Sequence, residues 1–317
     1  MKVCVTGGCG FIGSHVTDTY VKAGHDVFII DNLSTGKREN RNPAARLYEV
    51  DILSAEAASV LSSERPRILN HHAAQISVPL SVADPFHDLE VNVKGTLHLL
   101  DLSRASGVEK FIFSSTGGAI YGDTPFVPTG ENVNPEPASP YAIDKLAAEK
   151  YIHYFYHQFG LSYTILRYSN VFGPRQIPHG EAGVVAIFTE ALLSGIRPTL
   201  YHFPGEPAGM VRDYCYVKDI AMASMAATMT DGVGIYNIGT GTGTTTLELY
   251  RGVVRALRSH GVEVPLEFDE PLTGSARPGD IHVSTLDAAK AGKVLSWKPA
   301  FGLDQGLLET VGWYLKK

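Results

Sequence analysis

Two side chains four residues apart define the chemistry this chain is equipped for. In Ser139-Pro140-Tyr141-Ala142-Ile143-Asp144-Lys145 the tyrosine and the lysine would project from one face of a helix, one turn from each other. If that face looks into a cofactor cleft, the pair is a proton-transfer device. A free phenol has a pKa near ~10, so ionising it at neutral pH needs a shift of roughly 3 units, about 4 kcal/mol. An ammonium ~5 Å away supplies about 3 kcal/mol at an effective dielectric of ~20. The lysine thus almost suffices, and a cationic ring nearby would complete the shift. Tyr-x-x-x-Lys is common by chance, so the elements around the pair must decide its meaning.

The first such element opens the chain. Val3-Cys4-Val5-Thr6 reads as a short apolar strand, followed by glycines at 7, 10 and 13 and a helical run to Ala23. Glycines at this spacing permit a tight turn, let a pyrophosphate approach the backbone, and let the helix pack on its strand. A second strand, Asp26-Val27-Phe28-Ile29-Ile30, ends at Asp31-Asn32. An acidic residue ~20 positions past a glycine loop is placed to bind the adenosine ribose, and it would repel a 2′-phosphate. NAD is therefore favoured over NADP, with Lys37 and Arg38 as the counter-argument.

Further strands follow at Arg46–Val50, ending at Asp51-Ile52, and at Arg67–Gln75, running into small residues that leave room for a ring. His71 and His72 would point to opposite faces of that strand. No Cys, Asp or Glu completes a ligand set nearby, so a packed or hydrogen-bonded role is expected rather than a metal site. A helix is expected over Glu90–Ala105, and a fifth strand over Lys110–Thr116, ending in three hydroxyls. The helix from Tyr141 carries apolar residues on more than one stripe, which predicts a partner helix from a second subunit. His153 and His157 on it are expected to be solvated or interface groups. With a sixth strand at Tyr163–Tyr168, the alternation predicts an α/β fold with a doubly wound parallel sheet of the Rossmann type. From Ser169 glycine and proline become frequent. The expected division is a nucleotide-binding domain over 1–169 and a smaller, loop-rich C-terminal substrate lobe over 170–317, with a discontinuous boundary.

Composition narrows the partners. The chain has 317 residues and a net charge of -6, which argues against nucleic acid or an anionic membrane as partner. No apolar run reaches transmembrane length. Cys4, Cys9 and Cys215 cannot all pair, and no signal peptide fits before the first strand, so a reduced, cytoplasmic setting is expected.

Taken together, these stretches resemble the extended short-chain dehydrogenase/reductase family, in its NAD-dependent nucleotide-sugar epimerase/dehydratase branch, and within it the UDP-hexose 4-epimerases. The likeness spans nearly the whole chain. It rests on Thr6–His15, Asp31–Gly36, His71–Gln75, Asn92–Thr96, Ser114–Thr116, Tyr121–Asp123, Tyr141 with Lys145, and Arg167–Arg175. It continues through Arg212-Asp213-Tyr214, Asn237-Ile238-Gly239 and Arg277-Pro278-Gly279-Asp280.

The resemblance implies Tyr141 as catalytic base, Lys145 as the residue that binds the nicotinamide ribose and lowers the tyrosine's pKa, and Thr116 as the catalytic hydroxyl. It implies NAD held by Gly7, Gly10, Phe11, Ile12, Gly13, Asp31, Asn32, Asp51, Ile52, Ala73, Gln75, Asn92, Ser114 and Tyr168, besides Tyr141 and Lys145. A UDP-sugar would be held by Thr116, Asn170, Val184, Arg212, Arg277, Asp280 and Ser284. The implied reaction is C4 epimerisation through a 4-keto sugar with NAD retained and no metal; the excess apolar face on the helices from Glu90 and Tyr141 predicts a homodimer through paired helices. Small residues at the position of Ser284 are those that admit N-acetylated sugars in these enzymes.

Several positions depart from the pattern. Asp144 stands where relatives commonly carry Ser or Ala, and is expected to face outward. The Gly117-Gly118 pair adds a residue before Tyr121, which leaves Ser115 as an alternative to Thr116. Ile76 stands where galactose-pathway enzymes often carry Lys. Dehydratases and decarboxylases of the branch place an acid just after the threonine, which Gly117 and Gly118 do not supply. The competing readings are such a relative, a one-way sugar dehydrogenase, and a silent NAD-sensing protein. An intact Tyr141, Lys145 and Thr116 weighs against the last.

Overall fold

The computed structural model describes residues 1–178, 183–276 and 280–317. Seven parallel strands form its main sheet: β1 (Lys2–Thr6), β2 (Asp26–Ile30), β3 (Arg46–Tyr48), β4 (Ile68–His71), β5 (Lys110–Thr116), β6 (Ser162–Tyr168) and β10 (Gly234–Ile238). Their order across the sheet is β10-β6-β5-β4-β1-β2-β3, so the winding reverses between β1 and β4. In such a sheet the ligand crevice opens at the carboxyl ends of the strands, where the order reverses. The third strand, expected to reach Val50, and the fourth, expected to reach Gln75, both stop earlier, and the small residues after His71 leave the sheet as a loop.

The strands are short apolar runs because both faces are covered. One face carries Val3, Val5, Val27, Ile29 and Leu166 against Val16 and Tyr20 of α1 (Phe11–Lys22). The other carries Cys4, Phe28, Leu69, Phe111 and Ile165. It packs on Leu61 of α2 (Ala55–Glu64) and on Leu99 and Leu100 of α5 (Gly95–Ser106); the short α3 (Val78–Ala83) and α4 (Pro85–Leu89) lie between these helices in the chain. The helix expected from Glu90 opens with one wider turn over Glu90–Lys94. After a short turn, α6 (Gly117–Ile120), comes α7 (Pro140–Phe159). Ser139 caps α7 by accepting from the Ala142 N–H, Pro140 sits in its first turn, and Gly160 ends it at φ 73°.

Beyond β6 the chain builds a second cluster from β7 (Asn170–Phe172), α8 (Val184–Leu193), β8 (Thr199–His202), β9 (Val211–Tyr216), β11 (Gly243–Thr245), α10 (Thr246–Ser259), β12 (Leu272–Ser275) and β13 (Val283–Ser284). Its own core joins Phe172, Phe188, Tyr214, Tyr216, Leu249 and Val253. Between β9 and β11 the chain returns to the first layer. α9 (Val217–Met229) packs its Ile220, Ala221 and Ala223 into the core beside α1, and β10 pairs with β6. The strand–helix rhythm that fades after Ser169 in the sequence thus resumes for one more unit.

Candidate active site

The glycine loop and the carboxyl ends of the central strands enclose a cavity of about 660 Å³. Gly7 has φ 67°, and a Cβ on Gly13 would lie 2.2 Å from the Gly7 carbonyl oxygen, so helix and loop meet at backbone contact. No side chain larger than hydrogen fits there, which is the surface a pyrophosphate needs. Asp31 lies at the end of β2 and accepts from the Cys9 N–H at 2.9 Å and the Leu33 N–H at 2.8 Å. Burial raises its pKa, and those two amides oppose the rise. Asn32, Asp51 and Ile52 continue the wall, with Asn32 Nδ2 donating to Asp51 Oδ2 at 2.7 Å. The Arg38 guanidinium donates to Glu49, so one of the two cations able to grip a 2′-phosphate is already paired. These features fit NAD, an observation of the groove's shape and charge.

At the other end stand Ala73, Gln75, Ser114, Thr116, Tyr141, Lys145, Tyr168 and Asn170, which line the same cavity with Phe11 and Ile12. Lys145 Nζ donates to the Ser114 carbonyl at 3.1 Å and sits 4.8 Å from the centre of the Phe113 ring and 6.0 Å from that of Tyr141. Burial lowers the Lys145 ammonium to about 8, against the pull of Asp88 and Glu149. The expected lowering of Tyr141 is not produced by the protein's own groups. Burial, and after it the Asp88 carboxylate, push the phenol above its ordinary value. The ammonium is turned toward Ser114 and Phe113, and Asp88 adds a charge of the opposite sign.

Of the two hydroxyls left open, Ser115 Oγ donates to Glu149 Oε1 at 2.6 Å. Glu149 also holds Arg167, whose guanidinium reaches it at 2.9 and 2.6 Å. Ser115 is thereby committed to a buried network, whereas Thr116 closes the strand at the cavity. A Cβ on Gly117 would lie 2.4 Å from the Leu286 side chain and 3.2 Å from the Arg167 carbonyl oxygen, so any side chain after Thr116 would have to displace Leu286.

Not every expected residue lines the cavity. Asn92 is buried behind it, in the wide turn that precedes α5. It exchanges hydrogen bonds with the Gln75 backbone, accepting from its N–H at 3.1 Å and donating to its carbonyl at 3.0 Å. It shapes the wall without facing the cleft. Val184 begins α8, and Arg212, Asp280 and Ser284 also lie outside the lining. Arg212 and Ser284 are register partners on β9 and β13, and the guanidinium feels the charges of Asp280 and Asp123. Arg277 lies outside the described residues. Asp213, next to Arg212, is fully buried and accepts from Thr240, Gly241 and Leu286, so this half of the motif anchors loops.

One expectation changes. Asp144 does not face outward: it is 7 % exposed and lies against the fully buried Asp88 of α4. α7 is covered on that side by α3 and α4, where Tyr141 N–H donates to Ser81 Oγ at 3.2 Å. His71 is hydrogen-bonded, to Thr6 Oγ1 at 2.7 Å and Thr96 Oγ1 at 3.1 Å. His72 is not. It is packed instead: it lines the cavity, stacks on Tyr168, and has both ring nitrogens buried with no hydrogen-bond partner among the described residues. Alternation along β4 was the signal that set the two histidines on different faces.

The NAD dependent epimerase/dehydratase family matches residues 3–239. Among solved structures, the UDP-glucose 4-epimerase of Thermotoga maritima, determined with UDP-glucose, is 44% identical at a TM-score of 0.91, covering 100% of this chain and 99% of that one. The UDP-glucose 4-epimerase of Thermus thermophilus, a complex with NAD, is also 44% identical at a TM-score of 0.91, with 99% of each chain covered. A UDP-N-acetylglucosamine 4-epimerase from Methanobrevibacter ruminantium, in complex with UDP-N-acetylmuramic acid, is 36% identical at a TM-score of 0.90, covering 99% and 98%. A glycine-walled groove with Asp31 at its edge, a Tyr–Lys pair at its far end and these likenesses lead to one conclusion: the chain belongs to the NAD-dependent epimerase/dehydratase family and is a UDP-glucose 4-epimerase-like enzyme with NAD as its cofactor.

Proposed function

We propose that the enzyme interconverts C4 epimers of UDP-hexoses, UDP-glucose and UDP-galactose, and accepts their N-acetylated forms. The observation that carries the reading is the shared cavity of Tyr141, Lys145, Thr116 and Asn170 with glycine at 117 and 118. Elimination would need an acid after Thr116, and this chain carries glycine there. Bound NAD supplies a hydride acceptor and donor at the Tyr141 end of the groove. Tyr141 takes the proton of the sugar's 4-hydroxyl and returns it after the 4-keto sugar has turned about its diphosphate. Thr116 holds the same oxygen, and Lys145 keeps a cation beside the phenol. Asn170, Arg212, Arg277 and Asp280 hold the nucleotide, with Val184 beside it. Ser284, the register neighbour of Arg212, leaves volume for an acetamido group. The N-acetyl-accepting relative supports that extension.

The exposed apolar residues of α4 and α7 support a homodimer. Phe86 is 84% exposed and Tyr154 52%, with Leu89, Ile143, Tyr151 and Phe159 also exposed. They belong to α4 and α7, and Phe159 also meets Arg104 of α5, whose guanidinium carbon lies 5.1 Å from its ring centre. Cys4, Cys9 and Cys215 are buried free thiols, which supports a reducing, cytoplasmic setting. Among the described residues no helix is long and apolar enough to cross a membrane. The test is to incubate the enzyme with a panel of UDP-sugars, without added NAD, and resolve products by NMR. Conversion at C4 without free NADH supports the reading. Loss of water or carbon dioxide from the sugar, or accumulation of NADH, would replace it.

A further inference from the structure

Behind the Tyr141–Lys145 pair lies a second pair of titratable groups that the reaction scheme does not use. Asp88, on α4, has no exposed surface, and Asp144, on α7, has very little. The two carboxyl groups are within hydrogen-bonding reach of each other. Asp88 Oδ1 accepts from Gln75 Nε2 at 2.5 Å, while Asp88 Oδ2 is buried with no protein N–H donor among the described residues. An acceptor in that state needs a donor, and a protonated Asp144 carboxyl supplies one. Two carboxylates in contact cannot both ionise at ordinary cost, so such pairs hold one proton between them.

We propose that Asp88 and Asp144 act as one group sharing a single proton, and that Asp144 is a positioning residue that keeps one negative charge, and not two, beside the catalytic pair. The charges facing it come from every side. Tyr141 and Lys145 both feel Asp88, and Glu149, one turn beyond Lys145 on α7, adds a second negative charge to the lysine. His71 and His72 lie on the far side of Lys145 and are held neutral by burial, with Lys145 adding to the effect. α3 contributes only the Ser81 hydroxyl, and the wide turn before α5 only Asn92, through Gln75. Gln75 joins the pair to the cavity wall. Loss of the shared proton therefore adds a full charge where it raises the phenol and disfavours its role as proton acceptor.

The inference about catalysis rests on the epimerase reading, but the proton itself is measurable without substrate. In an infrared pH titration of the NAD-loaded enzyme, one protonated-carboxyl band should persist near neutral pH. That band should vanish in both Asp144→Asn and Asp88→Asn. In turnover, the rise of kcat/KM with pH should move downward by roughly one unit in Asp144→Asn, which cannot gain the second charge. The Asn variant should also turn over faster than Asp144→Ala, because its amide still donates to Asp88 Oδ2. A band unaffected by Asp144→Asn, or superimposable pH profiles of the wild type and that variant, would overturn the proposal. If the enzyme converted no UDP-sugar, the epimerase reading would fail while the infrared arm still decided whether the pair holds its proton.

Discussion

Ser115 Oγ donates to Glu149 Oε1 across 2.6 Å, and the neighbouring Thr116 is left to the cavity. The two alternate along β5 and both border the cavity, but the Ser115 hydroxyl is held by the buried Glu149. Thr116→Val should lower kcat by about 10²- to 10³-fold, the scale of a lost donor at a developing oxyanion. Ser115→Ala should cost roughly 1.5–3 kcal/mol of stability, since its acceptor is charged. Steady-state kinetics and chemical denaturation of the two variants separate the roles. A larger kcat loss in Ser115→Ala would reverse the assignment.

Tyr141→Phe removes only the proton acceptor. Turnover should drop at least about 10²-fold while NAD stays bound through gel filtration, read by absorbance. Because burial and Asp88 raise the phenol, tyrosinate absorbance in the NAD-stripped protein should not show a neutral-pH titration assignable to Tyr141. A titration near neutrality, absent from Tyr141→Phe, would contradict this.

Asp144 makes stability depend on pH. Burial, and then the hydrogen bond to Asp88, push its carboxyl from 3.8 up to about 7. A carboxyl raised on folding binds its proton more tightly in the native state. Its contribution is complete below about pH 4 and is lost as pH rises through 7. The Tm of the wild type should therefore fall between pH 5 and 8 relative to Asp144→Asn. Parallel Tm curves would show that the two states bind protons equally at this site.

Ser284 sets the width expected of the sugar pocket. Ser284→Tyr should suppress turnover of UDP-N-acetylhexoses and spare plain hexoses, because only the former need the volume. Competition between the two substrate types in one reaction measures the ratio directly. Equal loss on both, or no N-acetyl activity in the parent enzyme, would remove the role.

The apolar face of α4 and α7 predicts a dimer at micromolar concentration by light scattering. Tyr154→Arg places a charge on that face and should shift the population toward monomer. A monomeric wild type would leave Phe86 and Tyr154 without the proposed use.

The readable parts were those whose meaning is local. A glycine loop between strand and helix, an acid closing the second strand and Tyr141 one turn from Lys145 each declare themselves within a few residues. The cavity brings all of them together. What could not be read depends on distant contacts. Asp144 looked like an outward residue because its partner, Asp88, belongs to a short helix far earlier in the chain. Asn92 fits its motif but acts through the Gln75 backbone, a relation set by the wide turn before α5. The seventh strand was hidden because the glycine- and proline-rich run from Gly173 to Gly209 breaks the strand–helix rhythm well before Gly234–Ile238, and only the pairing with β6 gives that strand a place.

That pairing also sets an order of events during synthesis. Once Tyr168 has emerged, β6 presents a free edge, and α1 lacks the helix that will cover it. The helix is complete at Met229, but the strand is not supplied until the chain has been made as far as Ile238, next to residue 239, where the family's match to this sequence ends. A nascent chain stopped at residue 169 is thus an open-edged intermediate, exposed to pairing with other chains. Since the intervening residues build β7, α8 and β9, much of the second cluster must be synthesised before the main sheet can close.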